Sequence, residues 1–294
     1  VTLQVDAAIS AVNSRRIGLA LWFGLVFAAA ILCYGFWAEE LYLVLPWGVD
    51  ARLRMAAYVA IGGALIGLVY IFARKWSLQI ALGGLLLLAL AVSGFAAIGI
   101  LLLYGMSAVA IGLPLLGQRQ APKAMDVALA FGVGTAVLVI AYNILVRLPV
   151  NYAAFHILLL IAPVAICRQR LWLVCMMLQA DLRQPRPLPF FEYLVGGFIV
   201  ALMAMYVIIA ALPEIYSDPL AVYLYMASRL KSAAIWDIGP AYMISSTMPL
   251  GLVWLQAILN MIGGEVAAKL SNVMLLGATA TMVFFATRAE AGRL

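Results

Sequence analysis

Apolar runs too long for any water-facing fold decide the class of this chain. Residues 17–38 and 188–212 are almost unbroken apolar stretches, and about 20 such residues in a helix cross the ~30 Å hydrocarbon layer of a bilayer. Soluble domains carry roughly 25 % charged residues, whereas here only 10 % are charged and 67 % are hydrophobic. No polar shell can be built from that composition, so lipid must be the solvent. A transmembrane barrel would alternate apolar and polar residues in segments of about ten. The runs here are continuous, which selects helices: the expected fold is all-α, a polytopic helical membrane protein. The first run is expected to stay in the protein. It exceeds the hydrophobic region of a signal peptide and is followed by Glu39, Glu40 and Leu41 rather than by a small-residue cleavage site.

Dividing the runs gives about eight transmembrane helices, at 17–38, 54–73, 78–97, 98–117, 125–146, 151–168, 189–212 and 266–287. The third and fourth come from one stretch, 78–117, with Ser93, Gly94 or the Tyr104-Gly105 pair expected to turn it. Charge orients the layout. With a cytoplasmic N-terminus the outer segments hold Arg52, Arg54, Arg147, Arg229, Lys231 and Lys269, which leaves 12 of the 18 basic residues inside. Lys and Arg are retained on the cytoplasmic side, so both termini are expected there. The basic residues sit at span ends, so the pI near 9.3 reflects membrane orientation and not a nucleic-acid partner.

Two segments do not span. Residues 169–188, with Arg170, Arg183, Arg186 and a proline cluster, read as a cytoplasmic amphipathic connector on the membrane surface. They separate a six-span region, 1–168, from a two-span module, 189–294. Residues 213–265 form the one long external loop. Its apolar part, 248–262, is too short for a comfortable crossing. A juxtamembrane helix lying at the outer interface is expected there, with Trp254 at headgroup depth.

Ionisable groups inside lipid are costly and therefore informative. His156, the single histidine, falls a third of the way into the sixth span. It reads either as a relay or ligand or as a partner bonded to a neighbouring helix. Asn143 reads as interhelical glue, and Gly62, Gly63, Gly132 and Gly134 as points of close helix approach. Cys33, Cys167 and Cys175 lack metal-ligand spacing and read as buried small hydrophobes. No span carries a row of acids or arginines. Walker, dinucleotide and metal-binding signatures are absent, so no nucleotide cofactor is indicated.

The external loop carries the chemistry. Asp218 lies six residues beyond the end of a span, at the water–lipid boundary. A carboxylate there can deprotonate a sugar hydroxyl, or hold a divalent cation facing a lipid phosphate. It can equally form an Asp-Pro turn that caps a helix running from Pro219 to Lys231.

From this loop onward the sequence resembles the GT-C membrane glycosyltransferases, closest to bacterial dolichyl-phosphate-mannose mannosyltransferase-like members. The pieces that carry the likeness are Asp218, Pro219-Leu220 and Tyr223, then Tyr242 to Pro249, an apolar helix over 250–262, and Gly263-Gly-Glu-Val-Ala-Ala-Lys-Leu270. They keep the family's order and spacing over residues 190–290. The resemblance implies a transferase in a bacterial cytoplasmic (inner) membrane that moves a sugar from a polyprenyl-phosphate donor to an extracytoplasmic acceptor. Asp218 would be base or metal contact, with Glu214 or Asp237 assisting. Tyr223, Arg229, Lys231 and Tyr242 would bind substrate, with Arg229 or Lys231 near the phosphate. Three departures stand beside it. Leu224 follows Tyr223 where members often have histidine, Leu252-Val253 replaces an expected glutamate, and the family's later spans do not follow. The chain is thus expected to be the front part of a longer polypeptide or a shortened relative. The alternative is a non-catalytic GT-C-derived subunit packed among other membrane subunits. A transporter ranks below both, because broken helices with midplane polar groups are not evident.

Overall fold

The computed structural model describes residues 49–117, 123–183, 189–212, 224–236 and 252–291. Among them every regular element is helical, as the apolar runs require. The helices are α1 (Val49–Ala73), α2 (Ser77–Leu115), α3 (Ala124–Leu145), α4 (Ala153–Ile166), α5 (Arg168–Arg183), α6 (Phe190–Ala211), α7 (Tyr225–Ala233) and α8 (Leu252–Ala291). A 3-10 turn, Arg74–Trp76, joins α1 to α2. At the start of α3 the Asp126 carboxylate accepts the backbone N–H of Lys123 at 2.8 Å. That bond satisfies one orphan donor and sets negative charge at the positive end of the helix.

Four apolar stretches are long enough to cross a membrane: Ala60–Leu115, Ala124–Leu145, Tyr193–Ala211 and Leu252–Thr287. A fifth is added if Ala153–Ile166 and Arg168–Ala180, bent by 77°, count as one. These helices fit an integral membrane protein. The count differs from the eight expected for three reasons. The first span lies outside the described residues. The second to fourth merge into one helical path. The sixth shrinks to the 14 residues of α4, about 21 Å at 1.5 Å per residue. Lipid as solvent also explains the surface, where Phe95 is 84 % and Ile166 82 % exposed.

Glycine breaks the two longest helices. Gly94 in α2 (φ 74°, ψ 171°) and Gly264 in α8 (φ 82°, ψ 173°) adopt a backbone conformation essentially restricted to glycine. The Ser93 hydroxyl, donating to the Ala89 carbonyl, loosens the same turn. Of the sites weighed for dividing 78–117, Gly94 is the one that breaks, while Tyr104 and Gly105 stay helical and buried.

The chain forms two compact units, Val1–Leu68 with Phe284–Leu294, and Val69–Val283. In the first, the described residues are helical, and the Phe284 and Phe285 rings meet edge-on at 5.4 Å. In the second, α2 and α3 pack backbone to backbone. A Cβ on Gly112 would overlap the Ala130 carbonyl, and one on Gly134 would overlap the Ala108 carbonyl. Small residues four apart on both helices (Ala108/Gly112 and Ala130/Gly134) permit this seam. It is locked by a 2.8 Å hydrogen bond between the Tyr104 and Thr135 hydroxyls and by the Tyr104–Phe131 ring pair. Gly134 is therefore a close-approach residue as expected. Gly62 and Gly63 meet nothing within 4 Å, and Gly132 meets only a methionine methyl at that distance.

Contacts within the second unit define two ends. At one, Tyr70 packs against Phe190 and Tyr193, Arg74 lies over the Tyr70 ring, and Gln79 donates to the Leu182 carbonyl. At the other, Lys269 reaches the Leu212 carbonyl, and a Cβ on Gly263 would crowd Ile100. Two expectations about side chains change. Cys175 is exposed and Cys167 half-buried, because the buried stripe of α5 runs through Leu171 and Val174 instead. Trp254 is enclosed by protein, 2 % exposed and edge-on to Trp236, so its ring is spent on an internal contact.

Candidate functional site

Five of the seven residues expected to act on substrate, namely Asp218, Glu214, Asp237, Tyr223 and Tyr242, lie outside the described residues. Arg229 and Lys231 fall on α7. They are two positions apart, about 200° around a helix, and leave α7 differently: Arg229 is half-buried and Lys231 exposed. The side of α7 that holds Met226, Ala227 and Leu230 is buried in the main apolar core together with Trp236, Trp254 and Leu255. This short helix is thus docked by its apolar stripe, and its basic residues ride on a fixed support.

A residue that sequence reading passed over fixes α7 in place. Asn151, 1 % exposed, sits in the connection between α3 and α4. Its Nδ2 lies within hydrogen-bond reach of four carbonyl oxygens: Leu148 at 2.8 Å, Ala234 at 2.9 Å, Leu145 at 3.1 Å and Val146 at 3.4 Å. Its backbone N–H also donates to Ala234, and the Trp236 N–H donates to the Val146 carbonyl at 2.7 Å. The ring of carbonyls forces the amide orientation, since only the NH2 group can face them. The opposite atom, Oδ1, then accepts from His156 Nε2 at 3.2 Å. Nε2 therefore carries the proton, and Nδ1 of the neutral ring holds a lone pair. His156 is bonded to the turn preceding its own helix, not to a neighbouring one. Asn143 likewise bonds within its helix, to the Val139 carbonyl.

The chemistry available at this node is limited and definable. His156 Nδ1, Tyr142 Oη and Trp236 Nε1 are buried and have no hydrogen-bond partner among the described residues. Tyr142 and His156 stack edge-on at 5.5 Å. One acceptor and two potential donors thus lie in an apolar core where such atoms are ordinarily paired. The sequence signal for the node was an asparagine just past Pro149, five residues before the single histidine. Among the described residues no three His, Cys, Asp or Glu side chains gather as a metal site.

The end of α6 and the post-break part of α8 are tied together. Lys269 Nζ donates to the Leu212 carbonyl at 2.7 Å and pairs with Glu265 at 2.6 Å, one helical turn away. Leu212 precedes the 213–265 segment and Glu265 closes it, so Lys269 ties its two attachment points together. The described residues form an all-helical fold whose four or five long apolar helices fit an integral membrane protein. No family model, no curated protein and no solved structure matches the chain.

Proposed function

We propose that the chain is a GT-C-like glycosyltransferase, or the N-terminal part of one, that moves a sugar from a polyprenyl-phosphate donor to an acceptor outside a bacterial cytoplasmic membrane. In this reading the chain crosses the membrane eight times, turning at Gly94 and again near Gly264, with both termini cytoplasmic and 213–265 outside. Asp218 deprotonates the acceptor hydroxyl with Glu214 or Asp237 assisting, and Arg229 or Lys231 neutralises the donor phosphate. Tyr223 and Tyr242 line the sugar.

The observation that supports it best is the Lys269–Leu212 bond. It brings together both attachment points of the segment that carries every one of these side chains. Lipid-phosphate chemistry needs such a segment held at a membrane surface, with cations beside a carboxylate, and α7 supplies the cations on a docked helix. The Gly264 break separates Leu252–Gly263 from the helix that follows, as a juxtamembrane helix before a span requires.

Asp218→Asn tests the reading. It keeps shape and capping ability and removes charge and basicity. Transfer of a labelled polyprenyl-phosphate sugar by the full protein should fall by about two orders of magnitude, the usual size of a general-base contribution, with expression unchanged. Transfer at the normal rate would make Asp218 a structural residue, and absence of transfer by the unaltered full protein would leave the non-catalytic subunit as the better account.

A further inference from the structure

Helix α5 turns the wrong face to the outside for a helix in water. Leu171 and Val174 are its buried stripe, while Trp172 (66 % exposed), Leu173 and Met176 face away from the protein together with Arg168 and Gln169. Arg168 and Trp172 are four apart, as are Gln169 and Leu173, so each pair forms a row on the helix surface. Between the rows runs a shallow groove of about 490 Å³, lined by Arg168, Gln169, Trp172 and Leu173. The groove is almost wholly apolar, and the side chains of Arg168 and Gln169 share it with Trp172 and Leu173.

The path of the chain says what such a groove meets. The apolar helix α4 ends at Ile166, and α5 leaves it at 77°. A helix that bends that sharply off an apolar helix, with tryptophan and arginines on its outer side, runs along a bilayer surface. At that depth apolar side chains meet acyl chains, tryptophan sits among headgroups, and arginines meet phosphate. Charge complementarity narrows the occupant. Arg168, Arg170 and Arg183 lie on this helix against one acid, Asp181. Basic segments beside membrane helices attract anionic lipid.

We infer that the α5 groove binds the headgroup of an anionic phospholipid, its phosphate held by Arg168 and Gln169 with Trp172 alongside, and its acyl chain laid past Leu173 and Met176. This site is separate from the 213–265 segment and stands whether or not the chain transfers a sugar.

Hydrogen exchange of the full chain in nanodiscs tests it. Amides of 168–183 should exchange more slowly in phosphatidylcholine discs containing phosphatidylglycerol than in phosphatidylcholine alone. Arg168→Gln, at an exposed position, should raise the phosphatidylglycerol content needed for half-maximal protection about fivefold, the effect of one basic residue at a membrane surface. Lys123→Gln, a charge-matched change outside α5, should leave the titration as in the wild type. Equal protection in both lipids, an unchanged titration for Arg168→Gln, or the same loss in both variants would overturn the site. Inorganic phosphate added to phosphatidylcholine discs should give no protection; if it did, the groove would be a phosphate site and the lipid assignment would fall.

Discussion

Asn151 donates twice to a single oxygen: its side-chain amide and its backbone N–H both reach the Ala234 carbonyl, at 2.9 and 3.1 Å. Ala234 is the one non-glycine among the described residues with a left-handed backbone (φ 59°). It ends α7 there, its own N–H returning to the Leu230 carbonyl at 2.8 Å. A strained residue of this kind persists where surrounding bonds over-determine it, and Asn151 supplies them. Asn151→Asp is therefore expected to be more damaging than its shape suggests. A carboxylate oxygen in place of Nδ2 would face four carbonyls with nothing to donate, at a cost of about 1–3 kcal/mol or more. Thermal unfolding in detergent reads the loss, and hydrogen exchange should show 224–236 freed first.

The α2–α3 seam predicts a contrast between glycines. Gly134→Ala puts a methyl into the Ala108 carbonyl, which only backbone movement can relieve, and overpacking of this kind costs typically about 1–3 kcal/mol. Gly62→Ala meets nothing within 4 Å and should change stability by less than about 0.5 kcal/mol. Melting of the two variants in one detergent compares them directly.

Tyr104→Phe removes the hydroxyl bonded to Thr135 and keeps the ring on Phe131. Interhelical hydrogen bonds in membranes average about 0.6 kcal/mol, so this variant should lose less than Gly134→Ala. The reverse order in a thermal assay would mean that the hydrogen bond, not the close approach, holds the seam.

Orientation can be read from side-specific labelling. Ser232, exposed on α7, should as Ser232→Cys react with an impermeant maleimide added outside sealed cells. Gln179, exposed on α5, should as Gln179→Cys react only after the membrane is opened. Modification of the Ser232→Cys protein only from the cytoplasmic side would invert the arrangement.

Helix positions were legible in the sequence because lipid leaves one simple signal, apolar length. The expected spans at 54–73, 125–146 and 189–212 fall on α1, α3 and α6 within a few residues. The break in 78–117 came down to three candidates, and glycine's unique backbone range selects Gly94. What the sequence hid depends on who faces whom. Cys175 and Trp254 exchanged their expected environments, because apolar character does not distinguish lipid from protein as a neighbour. Asn151 looked like an ordinary loop residue, since its four carbonyl partners include one 83 positions away. For the candidate site, α7 and its two cations were anticipated as a helix, and their docking on the α3–α4 connection was not. Asp218, Glu214, Asp237, Tyr223 and Tyr242 fall outside the described residues.

The α2–α3 seam also dictates a sequence of events during synthesis. Ala108 meets Gly134 across a short stretch of chain, so the pair can close as soon as α3 has been made. The Asn151–Ala234 bonds span 83 positions and must wait until α4, α5, α6 and α7 have emerged. Closing short loops before long ones follows from chain entropy. The early hairpin then serves as the template against which everything made later is sorted, the Asn151 clasp closes after it, and the contacts of α8 close last.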